Sequence, residues 1–362
     1  MKEVAPWWFR MLDLLAKLVS IRSLSREEHA CADFVESWAR NAGFRPKRIG
    51  NNIVFELGGG PRRLMLNSHI DTVPQCSGWL ADPWTPRLAD GRLTGLGAND
   101  AKGCVAAMLL AARELEEQGW DGPGTLVVLI SAEEEIGGES GIQLALSQIE
   151  PVEAAINGEP TGLAPCNAQR GMLLLNCHSQ GSSGHAAHAH ALGLENAVHS
   201  AARDIVRLSE MQFEPYEGIH VSRPQVTVVS GGLSHNQVPD NCDFQVDLRT
   251  TPNLDHDATL EYIRGQLECE VRCRSMRYMP ASTAADHPIV RAAVAASGKQ
   301  TYFSNTCSDW SLYGGIPTVK LGPGESERSH RPEEFILATE LEQGVRVYRD
   351  TVLGYFGEVG HV

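Results

Sequence analysis

His69 and Asp71 stand two residues apart in Asn67-Ser68-His69-Ile70-Asp71-Thr72-Val73-Pro74, directly after the apolar run Leu64-Met65-Leu66. On a strand, alternate side chains share a face, so the two project the same way. A carboxylate beside an imidazole takes one ring N–H, fixes the tautomer and turns the other nitrogen towards a metal. The same pair also serves as a plain hydrogen bond at a strand end. Gly95-Leu96-Gly97-Ala98-Asn99-Asp100 is the next candidate. It lacks the third glycine of a dinucleotide loop, and Asp100 would put a negative charge where a pyrophosphate has to sit. That acid is better suited to bridging two cations. Glu133-Glu134-Glu135 follows another apolar run, and Glu159 follows Ala154-Ala155-Ile156. Such carboxylates usually mark a solvated turn. Gathered at the mouth of a central strand, they would need cations to stay ionised together. His330, after Gly322-Pro323-Gly324, completes the set. Ser140 in Gly138-Glu139-Ser140-Gly141 lacks the full nucleophile-elbow pattern, which argues against a serine hydrolase.

Alternating strands and helices must position these residues. The N-terminal residues from Met1 to Ile21 read as an amphipathic helix rather than a secretion signal. Ser25-Arg26-Glu27-Glu28 resembles a capping box for a helix ending near Ala42-Gly43. Strands are expected near Ile53-Phe55 and Leu64-Leu66, and a loop over residues 79–91, rich in Asp, Pro and Gly. A helix over residues 104–118 and a strand covered on both faces at residues 125–130 follow. This texture predicts an α/β fold: a central, mostly parallel sheet with helices on both faces. From about Gly171 the order becomes strand, helix, strand, strand, helix, strand, a βαββαβ α+β domain. We therefore expect a catalytic metal-binding domain of residues 1–170 and 280–362, with residues 171–279 inserted. A helix over residues 288–297, a strand over 318–321 and a last helix from Pro332 to about Leu353 complete the expectation.

The 362 residues suit two domains, and 42% hydrophobic with 21% charged residues is a globular composition without a membrane-spanning run. A net charge of -14 leaves no basic surplus for nucleic acid. Nine scattered cysteines suggest reduced thiols and a cytoplasmic setting rather than a disulfide framework. Cys269 and Cys273 have no second close pair with which to build a structural zinc site.

Taken in order, the His69 octet, Gly-x-Gly-x-x-Asp100, Glu134-Glu135, Gly-Glu159-Pro and His330 resemble the M20 metallopeptidase family of dizinc aminoacylases, deacetylases and carboxypeptidases. The resemblance spans nearly the whole chain and looks most like the branch of acetylornithine deacetylase and succinyl-diaminopimelate desuccinylase. It implies two zinc ions, with cobalt as a substitute, bridged by Asp100. His69 and Glu159 would complete one shell, Glu135 and His330 the other. It also implies that Asp71 orients His69, that Glu134 is the general base, and that a cis peptide follows Asp100. The inserted domain would act as a lid and dimerisation domain. Its Gly184-His185 would send an imidazole to the partner subunit's site, and Asn236 and Arg249 would grip substrate. Arginine suits a carboxylate because its planar fork bonds both oxygens. The sequence departs from the pattern at His188-Ala189-His190, where relatives carry an aromatic-proline-histidine run. It departs again at Trp310 in Ser308-Asp309-Trp310, where a smaller or basic residue is usual.

The function implied is metal-dependent hydrolysis of the amide of an N-acyl amino acid: N2-acetyl-L-ornithine or N-acetyl-L-citrulline, in arginine biosynthesis. Succinyl-diaminopimelate desuccinylation and dipeptidase or carboxypeptidase activity are the alternatives. A non-catalytic metal-binding scaffold is the more distant one, and Glu134 argues against it, since a scaffold needs no base. The expected partners are a small-molecule substrate and a second copy of the chain, without nucleic acid or membrane.

Overall fold

A computed structural model describes residues 7–217, 219 and 223–359. It divides into two compact units. One comprises the chain up to Asn167 together with Ser282–Phe303 and the residues from Ser308 onward; the other comprises Ala168–Ala281 with Ser304–Cys307. That last segment falls in the first domain on the expected boundaries. It is held in the second unit by Arg170, whose N–H donates to the Ser304 carbonyl at 3.1 Å and whose Nε donates to Asn305 Oδ1 at 3.0 Å.

The first unit is built on the strand Gly124–Ser131, buried at every position as its apolar run predicts. It pairs in parallel with Arg62–His69 and antiparallel with Asn52–Gly58. Arg62–His69 pairs in parallel with Ala154–Asn157, which pairs in parallel with Thr318–Lys320. The centre of the sheet is thus parallel and its flanks antiparallel, with Lys47–Ile49 beyond one side and Cys166, opposite Lys320, beyond the other. Parallel central strands deliver the residues after Asn67, Ser131 and Asn157 to one carboxyl edge, where open α/β sheets form their sites. The helix Lys102–Glu117, buried along most of its length, packs against Ala338–Val359 and Trp7–Ser20. Met11, Leu14, Leu15 and Leu18 recur at helical spacing and seat Trp7–Ser20 in the core. Residues 1–6 of that predicted helix, and the side chains of Trp7 and Trp8, lie outside the described residues.

Three local expectations are corrected. The helix after Ser25 is His29–Asn41, and no side chain caps it. Ser25 Oγ instead donates to Asp71 Oδ2 at 2.7 Å, and the tertiary carboxylate outcompetes the local cap. Residues 79–91 are not wholly loop: Arg87–Ala89 pairs antiparallel with Arg92–Thr94. The last helix starts at Ala338 rather than Pro332, because Phe335–Leu337 pairs with Arg92–Thr94 as the third strand of this small sheet.

In the second unit, Gly171–Gln180 alternates as a strand with one covered face should, Leu173, Leu175, Cys177 and Ser179 pointing inward. It lies between Asn241–Thr250 and Glu270–Tyr278, with Gln225–Gly231 on the edge beyond Asn241–Thr250. Helices Ala197–Glu210 and His256–Gln266 supply Ala201, Leu208, Leu260 and Ile263 to its core. The chain order is the expected strand, helix, strand, strand, helix, strand.

Candidate metal centre

All five residues expected to hold metal converge in the first unit. His69 ends its strand, and its Nε2 lies 3.4 Å from Asp100 Oδ1. His330 Nε2 lies 3.5 Å from Asp100 Oδ2 and 3.1 Å from Glu135 Oε2. Two sets of three result, His69 with Asp100 and Glu159, and Asp100 with Glu135 and His330, the donor atoms of each within 4.8 Å of one another. Asp100 belongs to both, with one oxygen facing each imidazole. The Asp100–Ala101 peptide is cis. Gly97 precedes it at φ 79, and a Cβ there would come within 2.7 Å of Thr72 Cγ2, so only glycine fits.

Asp71 does more than face His69. Its Oδ1 is 3.4 Å from His69 Nδ1, which also lies 3.1 Å from the Asp71 carbonyl. The same carboxylate accepts the backbone N–H groups of Glu134 at 3.0 Å and Glu135 at 3.1 Å. Glu28, also buried, accepts the N–H of Glu133 at 3.2 Å. Two carboxylates therefore grip three successive amides and set the acidic turn. Glu133 sits at φ 58 and His330 at φ 59, left-handed backbone that costs a non-glycine residue roughly 1–3 kcal/mol and persists only where its surroundings impose it.

The electrostatics call for added positive charge. Burial pushes Glu134 well above the usual carboxylate range; the His69 charge offsets this in part, while Glu159, Asp309 and Glu135 add to it. Burial raises Glu159 to about 8 and Asp309 to about 7, and it raises Glu135 as well. Burial would lower His69, but the carboxylates of Asp100 and Asp71 beside its ring lift it well above an ordinary imidazole. The hydrogen bond to Glu135 brings His330 to about 9. In the protein alone, then, protons must be shared among crowded acids. Moreover, His69 Nε2 and Glu159 Oε1 are buried with no hydrogen-bond partner among the described residues. Each such orphan costs about 1–3 kcal/mol, and both belong to the first set. Imidazole nitrogens and carboxylate oxygens around one shared acid fit a pair of divalent cations.

Glu134 Oε2 lies 3.9 Å from His69 Nε2, yet Glu134 belongs to neither set. Asp309, buried and accepting from Ser131 Oγ at 3.2 Å, is a neighbour of the centre that sequence reading assigned only to a turn. Trp310 is buried, as a packing residue would be.

The other expected residues lie in the second unit. His185 is exposed, and its Nδ1 accepts the Ala187 N–H at 3.1 Å, which leaves the proton of the neutral ring on Nε2. Its ring lies 5.6 Å from that of His188. Asn236 accepts from Ser234 Oγ at 2.7 Å, and its carbonyl accepts the Ala186 N–H. Arg249 directs its fork at Asp247, with Nε at 2.8 Å and Nη2 at 2.9 Å.

The sequence profile described as peptidase family M20/M25/M40 matches residues 65–354. The chain belongs to this family. It is 28% identical over 341 residues to an acetylornithine deacetylase of Photorhabdus laumondii, an alignment that covers 87% of each chain. A tripeptidase from Staphylococcus aureus superposes with a TM-score of 0.80 at 19% identity, over 97% of this chain and 99% of that one. A Bacillus subtilis protein described as a dinuclear metal-binding peptidase of the M20 family superposes at 0.76 and 15% identity, over 98% and 99%. The chain is a metal-dependent amidohydrolase. Among the described residues, no helix is long and apolar enough to cross a membrane.

Proposed function

We propose that the protein deacylates N-acyl α-amino acids, with N2-acetyl-L-ornithine or N-acetyl-L-citrulline as substrate, as a step of arginine synthesis. The observation that carries this reading is Glu134: a half-buried carboxylate beside two metal-binding sets, a member of neither, on the same Asp71-held turn as Glu135. In our reading His69, Asp100 and Glu159 hold one zinc ion and Asp100, Glu135 and His330 the other, with cobalt as a substitute. When bound, the pair supplies Lewis-acid polarisation and lowers the pKa of water in the cleft. Glu134 takes the proton of the attacking water and hands it to the departing amine. Asp71 holds the turn that aims it.

The second unit serves as a lid and as the dimerisation domain of a homodimer. The Nε2–H of His185 is a donor for the oxyanion in the partner subunit's site, in keeping with the Nδ1 contact that fixes its tautomer. Asn236 and Arg249 grip the substrate, with Asp247 holding the Arg249 fork in plane until a carboxylate displaces it. The similarity to the acetylornithine deacetylase of Photorhabdus laumondii supports the acetyl group and the amino-acid class.

The test is a set of steady-state kcat/KM values on acetylornithine, acetylcitrulline, acetylmethionine and succinyl-diaminopimelate after zinc reconstitution. Preference for either of the first two supports the reading. Preference for the succinyl substrate replaces it with a desuccinylase, and turnover of dipeptides alone makes the protein a peptidase.

A further inference from the structure

We propose that Glu334 is a positioning residue that holds Asp100 between the two donor sets before any cation arrives. The inference rests on the metal reading above. Glu334 is 2% exposed, and its carboxylate is committed to backbone. Oε1 accepts the N–H groups of Asn99 at 2.8 Å and Asp100 at 2.9 Å, and Oε2 accepts that of Gly97 at 3.1 Å. Charge-assisted bonds of this kind are about twice as strong as neutral ones, and all three converge on the turn that presents Asp100.

Glu334 is itself anchored. Its carbonyl accepts the Gly95 N–H at 2.9 Å, and the strand Phe335–Leu337 that follows is registered on Arg92–Thr94. Asn99 closes the same joint from its other side. Its amide nitrogen donates to the Glu325 carbonyl at 3.0 Å and to Ser329 Oγ at 3.2 Å, while its oxygen accepts the Glu325 N–H at 3.0 Å. Gly324, at φ 86, admits this approach, since a Cβ there would lie 2.3 Å from Asn99 Oδ1.

Residues 325–334 carry His330 and are therefore bonded to the Asp100 turn on both sides of that histidine. Asp100 alone serves both donor sets, so a loosened turn misplaces a shared ligand and one imidazole relative to each other. An amide at position 334 would keep one acceptor oxygen and aim its NH2 at an N–H donor. The clamp therefore needs a carboxylate.

The experiment titrates zinc ions into metal-free protein against a competing chromophoric chelator, for wild type, Glu334→Gln and Glu334→Asp, each first checked for native circular dichroism. We expect Glu334→Gln to weaken both zinc-binding steps about 10–100-fold. Glu334→Asp, which keeps the charge but is one methylene shorter, should fall between Gln and wild type. It also carries the test if the Gln variant does not fold. A role in stability alone would lower the unfolding temperature of the metal-free protein and leave both affinities within twofold of wild type, which overturns the proposal. Loss of one step with the other intact also overturns it, because Asp100 is shared. Should wild type itself bind fewer than two zinc ions, the metal reading falls, an outcome visible without any variant.

Discussion

Asp204 is a buried acid and Asp100 a half-buried one, and the protein treats them in opposite ways. Asp204, in the second unit, is fully buried and answered within its own chain. It accepts the N–H groups of Glu268 at 3.1 Å and Cys269 at 2.9 Å, and Arg207 Nη1 reaches it at 2.9 Å. Arg207 also pairs with Glu268 at 2.7 Å, so charges of both signs close into a network. Asp100 stands instead beside the acids Glu135 and Glu159, and its ion pairs are with two imidazoles. An acid fully answered by donors and a guanidinium is architecture. A surplus of acids with orphaned atoms marks a place completed by something else.

Removing the cations tests that contrast with the largest effect. Dialysis against a chelator should take amidase activity to background and lower the unfolding temperature. Restoring metal at one hundred times its dissociation constant should return about 2.7 kcal/mol of stability for each site filled. If calorimetry gives the same transition with and without chelator, the acids of the centre need no cation and the contrast collapses.

Next comes Glu134→Gln. We expect kcat to fall about 10²–10⁴-fold with metal content unchanged by elemental analysis. A variant that loses metal in proportion to activity would make Glu134 a ligand rather than the base. Asp204→Asn sharpens the other side. It should cost about 1–3 kcal/mol in urea unfolding, because two backbone N–H groups and Arg207 lose a charged, buried acceptor, while kcat of the folded enzyme stays at wild type. A large kcat effect would show that this network is not architecture alone.

The smallest effect is at His178. Its hydrogen bond to Asp243, at 2.8 Å, raises its pKa above the ordinary imidazole value. Because the folded pKa is the higher one, the pair's contribution is full below about pH 6.5 and is lost as pH rises through the folded value. Both side chains are partly exposed, so it amounts to less than about 1 kcal/mol. Urea midpoints of wild type and His178→Gln should differ at pH 5.5 and converge by pH 9. Parallel profiles across that range would dismiss the pair.

Much of the centre was legible because its residues sit next to strong local signals. Gly124–Ser131 and Ala154–Asn157 are short apolar runs, and Glu134, Glu135 and Glu159 follow them directly. The helix Pro288–Ser297 showed in its periodicity and its proline at the first turn. Glu334 did not show. A helix expected from Pro332 would have put Glu333 and Glu334 in its first turn, where acids are ordinary. Only the pairing of Phe335–Leu337 with Arg92–Thr94 turns that stretch into a strand and aims the carboxylate at Gly97, Asn99 and Asp100. Ser25 misled for a related reason: its neighbours resemble a capping box, but its partner is Asp71, 46 positions away.

From the sequence alone came the residue types at the strand ends, their order, the α/β texture and the inserted α+β unit. These rest on periodicity and on chemistry written within a few residues. The tertiary structure decided which acids are paid for by the protein and which are left over. It gathered Asp100, Glu135 and His330 around one point, spent Asp71, Glu28 and Glu334 on backbone amides, and left His69 Nε2 and Glu159 Oε1 without hydrogen-bond partners among the described residues. Those assignments depend on contacts between segments 63 to 237 positions apart, whose desolvation and register no local pattern records.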